Sequence, residues 1–100
     1  MSTNKFPSYI SFSYSPVDFV PVIASFDTDG NLKPLYVRIN GTAMKVHSYH
    51  ERQHYRNTIE FNCKIIETVD DETYLRPLLL TYHQAERVWT IPQQPTKADD

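Results

Sequence analysis

The chain has 100 residues, which suits one domain with a modest core and excludes a second domain of ordinary size. Hydrophobic residues make up 40% and charged residues 22%, an ordinary globular balance, while aromatic residues reach 13% and favour strands. The net charge of -2 is unevenly spread: residues 33–64 hold six basic and two acidic residues, whereas residues 65–100 hold three basic and seven acidic ones. The sequence therefore predicts a molecule with a positive and a negative side.

Cysteine usage and hydropathy bear on the cell compartment. The single cysteine, Cys63, has no partner for an internal disulfide, and no apolar signal region follows the polar start of the chain. The longest apolar run, Leu78-Leu79-Leu80, is far shorter than the roughly 18 residues of a membrane span. We expect a cytoplasmic protein that does not insert into a membrane.

The first residues, 1–16, alternate apolar and small polar side chains in Ile10-Ser11-Phe12-Ser13-Tyr14, which predicts a flexible arm or an edge strand. A single β domain is predicted over residues 17–92. Its first strand covers about 19–26, where apolar residues recur at every second position and Pro21 marks an edge or a strand start.

Asn40-Gly41 predicts the tightest turn of the chain, because both residues tolerate the positive φ angles of a type I′ hairpin turn. The hairpin strands are predicted at about 32–39 and 42–47. In the register that this turn sets, one face is apolar, with Leu35 opposite Val46 in addition to Val37, Ile39 and Met44. The other face carries Tyr36, Arg38 and Lys45.

Three further strands are predicted at about 58–67, 74–82 and 87–91. The first of them alternates clearly, with Ile59, Phe61, Cys63 and Ile65 in phase. An acidic turn around Asp70 follows it, and Pro77 predicts a bulge or an edge in the next strand. Residues 93–100 contain two prolines and no apolar period, which predicts a disordered tail. The whole pattern predicts an all-β fold, a six-stranded antiparallel meander that forms a small barrel or a strongly twisted sheet, similar in size to SH3 and OB domains.

The segment between His47 and His54 is rich in histidine. If residues 48–57 form one or two helical turns, His50 and His54 lie one turn apart, which is a spacing that two zinc ligands use. Cys63 or Glu51 is then a candidate third ligand. The alternative is a solvated connection whose histidines are merely polar. We expect no bound cofactor, and His50 and His54 stay low-ranking metal candidates.

Basic and aromatic residues in the middle of the chain suit nucleic acid, since cations neutralise phosphates and tyrosine rings stack on bases. The predicted contact residues for nucleic acid or another partner are Tyr36, Arg38, Lys45, Tyr49, Arg52, Tyr55 and Arg56. A sequence pI near 6 argues against a strongly basic binding domain. The alternative is an ordinary solvated sheet face.

Catalytic patterns are weak. Cys63 shares the phase of core residues, and the sequence has no nucleophile elbow, phosphate-binding loop or dinucleotide fingerprint. The turn at Asp27-Thr28-Asp29-Gly30 fails as a calcium loop, because Tyr36 stands where the twelfth-position glutamate is needed. We therefore predict that the protein is not an enzyme.

Five short segments are distinctive: Phe26-Asp27-Thr28-Asp29-Gly30, Pro34-Leu35, Asn40-Gly41, Phe61-Asn62-Cys63 and Val88-Trp89-Thr90-Ile91. In these segments the chain resembles a group of small uncharacterised proteins from Firmicutes, especially clostridia. The resemblance covers about residues 17–92 and implies a bacterial, cytoplasmic, stand-alone β domain. It assigns no role to any residue.

Three functions remain open at this point. The first is a non-enzymatic accessory module that binds single-stranded nucleic acid. The second is a protein-interaction module, such as an inhibitor or adaptor from a phage or mobile element, which uses an edge strand or the acidic turn and forms a homodimer through an edge strand. The third is a metal-binding domain built on the segment from His47 to His54.

Overall fold

The computed structural model describes residues 16–54 and 57–94, without the side chains of Gln53 and His54. The described residues form seven antiparallel strands and no helix, so none of them contributes a helix that could cross a membrane. The strands are β1 (Val17–Val20), β2 (Val22–Phe26), β3 (Leu32–Ile39), β4 (Thr42–His54), β5 (Thr58–Val69), β6 (Glu72–His83) and β7 (Val88–Pro92). The prediction of a small all-β domain is confirmed, with seven strands instead of six.

The strands form one curled sheet, a half-barrel, in the order β1-β7-β6-β5-β4-β3-β2. Its two end strands, β1 and β2, are consecutive in the chain and separated by Pro21 alone. Before Pro21 the chain pairs with β7, with Val20 opposite Trp89, and after it the chain pairs with β3, with Val22 opposite Val37. Proline has no N–H to donate to a ladder, so the change of partner falls where pairing is weakest. The single strand predicted over 19–26 is therefore two strands.

Strand β4 also changes partner along its length. Its first residues pair with β3 as far as Lys45, and from Val46 onward it pairs with β5. The register shifts twice, at His47 and at Arg52. Each shift leaves one residue of β4 without a pair, and such bulges bend the strand. The predicted helical turns or loose connection after residue 47 are wrong as far as His54, because the ladder with β5 satisfies the backbone there.

The hairpin of β3 and β4 has the predicted register and turn. Ile39 pairs with Thr42 and Val37 with Met44, and the turn residues Asn40 and Gly41 have φ angles of 52° and 81°. The prediction for Leu35 is wrong. The ladder between β2 and β3 shifts at this point, which leaves Leu35 without a pair, so that Pro34 is buried and Leu35 is exposed. A bulge of this kind reverses the faces of all residues on one side of it.

The core lies on the concave side of the sheet, and β5 supplies its centre. Phe61, Ile65 and Leu80 are almost completely buried. The Trp89 ring packs against both Tyr82 and Phe61, at centroid distances of 4.8 and 6.0 Å. The other buried hydrophobic residues are Val37, Ile39, Met44, Val46, Ile59, Cys63, Leu78 and Ile91. This core fixes which face of each strand points outward, and the candidate site lies on that outer face.

Candidate binding face

The outer surface of the β3–β4 hairpin holds three of the predicted contact residues. Tyr36 pairs with Lys45 across the two strands, and Arg38 pairs with Ala43 one row nearer the turn. On the other side of β3, Ile23 pairs with Tyr36. We call Ile23, Tyr36, Arg38 and Lys45 the hairpin face. Directly paired residues of an antiparallel ladder share a face, so these four side chains are neighbours.

The hairpin face is partly apolar and carries a local groove. A shallow groove of about 240 Å³ runs along it and is lined by Pro21, Ile23, Tyr36, Arg38 and Ala43, among others. Ile23 is 63% exposed and Tyr36 41% exposed, which is unusual for large side chains in a sheet. The face therefore offers an aromatic ring and an aliphatic side chain to a ligand.

The two cations of the hairpin face lack carboxylate partners within the described residues, since the only ion pairs there join Arg52 to Glu60 and Arg76 to Glu67. The nearest acidic turn lies at the far end of β3. Its Asp27 carboxylate accepts bonds from the backbone N–H groups of Asn31 and Asp29, both at 2.9 Å. The bond from Asn31 is the main cause of the lowered pKa of Asp27, and the charge of Lys33 contributes a little. Lys33 is thus beside a carboxylate, whereas Arg38 and Lys45 are available.

The remaining predicted contact residues do not join this face. Tyr49 pairs with Cys63 on the core side of β4, and its ring meets Phe61 edge-on at a centroid distance of 5.7 Å. Arg52, at the second register shift, donates from Nη1 to Glu60 Oε1 at 3.0 Å. Tyr55 and Arg56 lie outside the described residues. Charge and aromatic content alone grouped these residues, and the fold separates them.

The predicted metal geometry is not formed. His50 lies in a strand rather than a helix, and in a strand residues four apart are about 13 Å from each other. Among the described side chains, which do not include that of His54, no group of three or more histidine, cysteine or acidic residues is placed to hold a metal ion. Cys63, a suggested third ligand, is buried, and burial raises the pKa of its thiol to about 11. The thiol is therefore protonated at neutral pH, which suits neither a ligand nor a nucleophile.

A second groove lies on the outer face of β4, β5 and β6. Its volume is about 620 Å³, and its outward-facing lining residues are Ser48, His50, Asn62, Lys64, Pro77 and Leu79. The ladders arrange them in two rows that cross the three strands, Ser48-Lys64-Pro77 and His50-Asn62-Leu79. This groove was not predicted from the sequence, because it depends on the part of β4 after residue 47, which was not predicted to be a strand.

An exposed apolar stripe runs along the outer side of β1, Pro21 and the start of β2. Its residues are Val17, Phe19, Pro21 and Ile23, and Phe19 is 75% exposed. A sequence signal for it exists: between residues 17 and 26 both alternating sets of residues are mostly apolar, a pattern typical of strands covered on both faces. The prediction of one strand over 19–26 used only the alternating set that faces inward.

Comparison of the chain with protein-family models, curated proteins and solved structures finds no match. The resemblance to the clostridial proteins, the bacterial and cytoplasmic origin and the binding function all stay predictions.

Proposed function

We propose that the protein is a non-enzymatic module that binds single-stranded nucleic acid on its hairpin face. The observation that carries this proposal is the pairing of Tyr36 with Lys45, with Arg38 one row away. A stacking platform beside unpaired cations is the arrangement that proteins use for single strands, whose bases are open to aromatic rings.

Electrostatics supports this site despite the net negative charge. A ligand responds to the local field, which decays within about 10 Å at ordinary salt concentrations. Six of the ten acidic residues in the described part of the chain lie in the turn at 27–29 or between Glu67 and Glu72. Asp18 lines a groove together with Arg38, but its carboxylate accepts a hydrogen bond from the backbone N–H of Gln94 at 3.0 Å. The hairpin face itself contains no carboxylate, and Arg38 and Lys45 have no ion-pair partner in the described part of the chain.

Fluorescence titration of a labelled oligothymidylate at several salt concentrations tests the proposal. We expect micromolar or weaker binding whose logarithm falls linearly with the logarithm of salt concentration. Arg38→Gln and Lys45→Gln each remove a phosphate contact and should lower the slope by about 0.7. Tyr36→Ala should weaken binding about tenfold through lost stacking, while Tyr36→Phe should retain it.

Lys33→Gln is the matched control. It removes one exposed positive charge from β3, the strand that also carries Arg38. This lysine, however, lies near Asp27 at the far end of the hairpin. Binding should change little. Equal effects of Lys33→Gln and Lys45→Gln would show nonspecific attraction, and an absence of binding at low salt would refute the function.

A protein-interaction module is the second candidate, and the apolar stripe from Val17 to Ile23 favours it. Contiguous exposed apolar residues are typical of protein contacts. A second copy of the chain is the partner that light scattering tests directly. Phe19→Ser should abolish a concentration-dependent dimer, whereas Leu75→Ser, at a half-exposed position off the stripe, should not. A monomer at high concentration contradicts the homodimer.

A further inference from the structure

The groove across β4, β5 and β6 brings four hydrogen-bonding side chains together, and none of them serves the fold. Ser48 pairs with Lys64, and His50 pairs with Asn62 in the next row. We call these residues the polar block. In the described part of the chain, none of the four side chains makes a hydrogen bond or an ion pair. The hydrogen-bond donors of the polar block are therefore available to a ligand.

The block is compact enough for one small anion. Directly opposed residues of a ladder have Cβ atoms about 5 Å apart, and neighbouring rows on one face are about 7 Å apart. A phosphate placed over the centre is within reach of the Lys64 ammonium group, the Ser48 hydroxyl and the Asn62 amide. No carboxylate lines the groove, so nothing there repels an anion.

The register shift at His47 produces this arrangement. The pairing moves by one residue between Val46 and Ser48, which bends β4 and turns Ser48 and His50 toward the outer face. Bulges of this kind are frequent next to functional sites because they redirect side chains. Without the shift, alternation from Val46 would place Ser48 and His50 on the core side.

Strand β6 supplies an apolar surface beside the donors, formed by Pro77 and Leu79, which we call the shelf. Pro77 continues the row of Lys64, and Leu79 continues the row of Asn62. At about 620 Å³, the groove is within the size range of sites for small organic ligands. Donors on one side and an apolar shelf on the other suit a molecule that is charged at one end and flat or apolar at the other.

We propose that the polar block binds the phosphate group of a nucleotide, with the sugar and base lying over Pro77 and Leu79. The phosphate comes either from a free mononucleotide or from a nucleic-acid strand, and the chemistry of recognition is the same. This site is separate from the hairpin face, and it stands whether or not the hairpin face binds nucleic acid.

The test is a titration of ¹⁵N-labelled protein followed by NMR. The probes are inorganic phosphate, adenosine 5′-monophosphate and adenosine. We expect phosphate and the monophosphate to shift the amide signals of Ser48, Asn62 and Lys64, with tighter binding of the monophosphate because it also contacts the shelf. Adenosine should bind at least tenfold more weakly than the monophosphate. Shifts spread evenly over all lysines, including Lys33, would overturn the proposal.

Two variants separate this site from the hairpin face. Lys64→Gln should weaken monophosphate binding about tenfold, which corresponds to the loss of one charge-assisted hydrogen bond. Lys33→Gln, which removes the same charge at the far end of β3 and outside both proposed sites, should leave it unchanged. Unchanged monophosphate binding in Lys64→Gln refutes the polar block as a site. If Lys45→Gln loses only its oligothymidylate binding, that result concerns the hairpin face and not the polar block.

An oligothymidylate without terminal phosphates distinguishes the two sources of phosphate. If it shifts the polar block, the phosphates of a nucleic-acid strand are sufficient ligands. If only the monophosphate shifts the block, the ligand is a free nucleotide with a terminal phosphate. A protein in which none of the three phosphate-containing probes shifts the block does not have this site.

Discussion

Two hairpins of this sheet turn in the same way but are supported differently. The β3–β4 hairpin turns through Asn40 and Gly41, and the β5–β6 hairpin turns through Asp70 and Asp71. All four residues have positive φ angles, as a type I′ turn requires. In the first hairpin the core reaches the turn, because Ile39 is buried directly beside it. The second hairpin continues beyond the core.

The end of the β5–β6 hairpin shows what happens when a hairpin extends past its core. Ile65 is completely buried, but Val69, next to the turn, is 47% exposed. Pairs such as Thr68 with Thr73 hold this end together, assisted by the ion pair from Arg76 to Glu67 at 3.4 Å. A partly exposed ion pair contributes at most about 1 kcal/mol, so we infer that ladder bonds and turn geometry, with the hydrogen bond that Tyr74 Oη donates to Glu72 Oε1 at 2.6 Å, are the main stabilising interactions. We therefore expect two turns of the same type to differ in stability according to the packing beneath them.

The largest expected effect separates the core part of the β5–β6 hairpin from its end. Leu80→Ala should lower the free energy of unfolding by about 2–5 kcal/mol, because Leu80 is fully buried and its loss leaves a cavity. Leu75→Ala, on the same strand but half exposed, should cost about 0.5 kcal/mol or less. Urea denaturation followed by the fluorescence of Trp89 measures both. Similar losses of unfolding free energy in the two variants would show that the side chain of Leu75 is packed as well as that of Leu80. If Leu80→Ala does not fold, Leu80→Val gives a milder version of the same comparison.

Alkaline pH should destabilise the core part of the same hairpin through Cys63. Burial raises the pKa of its thiol from 9.0 to about 11, so the unfolded chain loses the thiol proton at a lower pH than the folded chain does. Folding stability should therefore fall as the pH rises from about 9 to 11, by about 2 kcal/mol in total. The measurement is urea denaturation of the natural protein and of Cys63→Ala across this range. The difference in free energy of unfolding between the two proteins isolates the effect of the thiol from that of the tyrosines and lysines. If this difference does not change with pH, the raised pKa of Cys63 is contradicted.

Local sequence patterns predicted those parts of the fold in which neighbouring residues agree. Asn40-Gly41 set the hairpin register, and the alternation from Ile59 to Ile65 placed Cys63 in the core. In both cases turn chemistry or a two-residue period was sufficient. The outward position of Tyr36, Arg38 and Lys45 followed from the same register.

Other features depend on distant parts of the chain. Nothing local shows that the chain pairs with β7 before Pro21 and with β3 after it, since that depends on how the whole sheet curls. The strand character of residues 48–54 comes from β5, because this polar, histidine-rich stretch has no clear period of its own. The placement of Tyr49 and Arg52 depended on those features, and so did the polar block.

Replacing the one glycine of the β3–β4 turn tests how far that turn depends on its residue type. No atom lies within 4 Å of a Cβ built on Gly41, so Gly41→Ala meets no steric obstacle and its cost comes from the φ angle of 81° alone. We expect a loss of about 1–2 kcal/mol in the free energy of unfolding. Thr42→Ala, one residue later in β4, is the control for a general loss of strand propensity. A neutral Gly41→Ala would show that the core fixes this turn without help from its sequence.

The smallest effect has the opposite sign and sharpens the comparison most. Asp71 has a φ angle of 66° in a turn position where glycine is preferred, and no buried residue beneath it compensates for the strain. Asp71→Gly should therefore raise the free energy of unfolding by about 0.5–1 kcal/mol. Asp71→Asn is the matched control, because asparagine removes the charge and keeps a side chain at the same φ angle. If Asp71→Asn stabilises as much as Asp71→Gly, then repulsion among Glu67, Asp70, Asp71 and Glu72, rather than backbone strain, limits the stability of this turn. The expected order, glycine above asparagine above aspartate, would show that the end of this hairpin is stabilised by turn geometry, as the turn at Asn40-Gly41 is stabilised by both geometry and core.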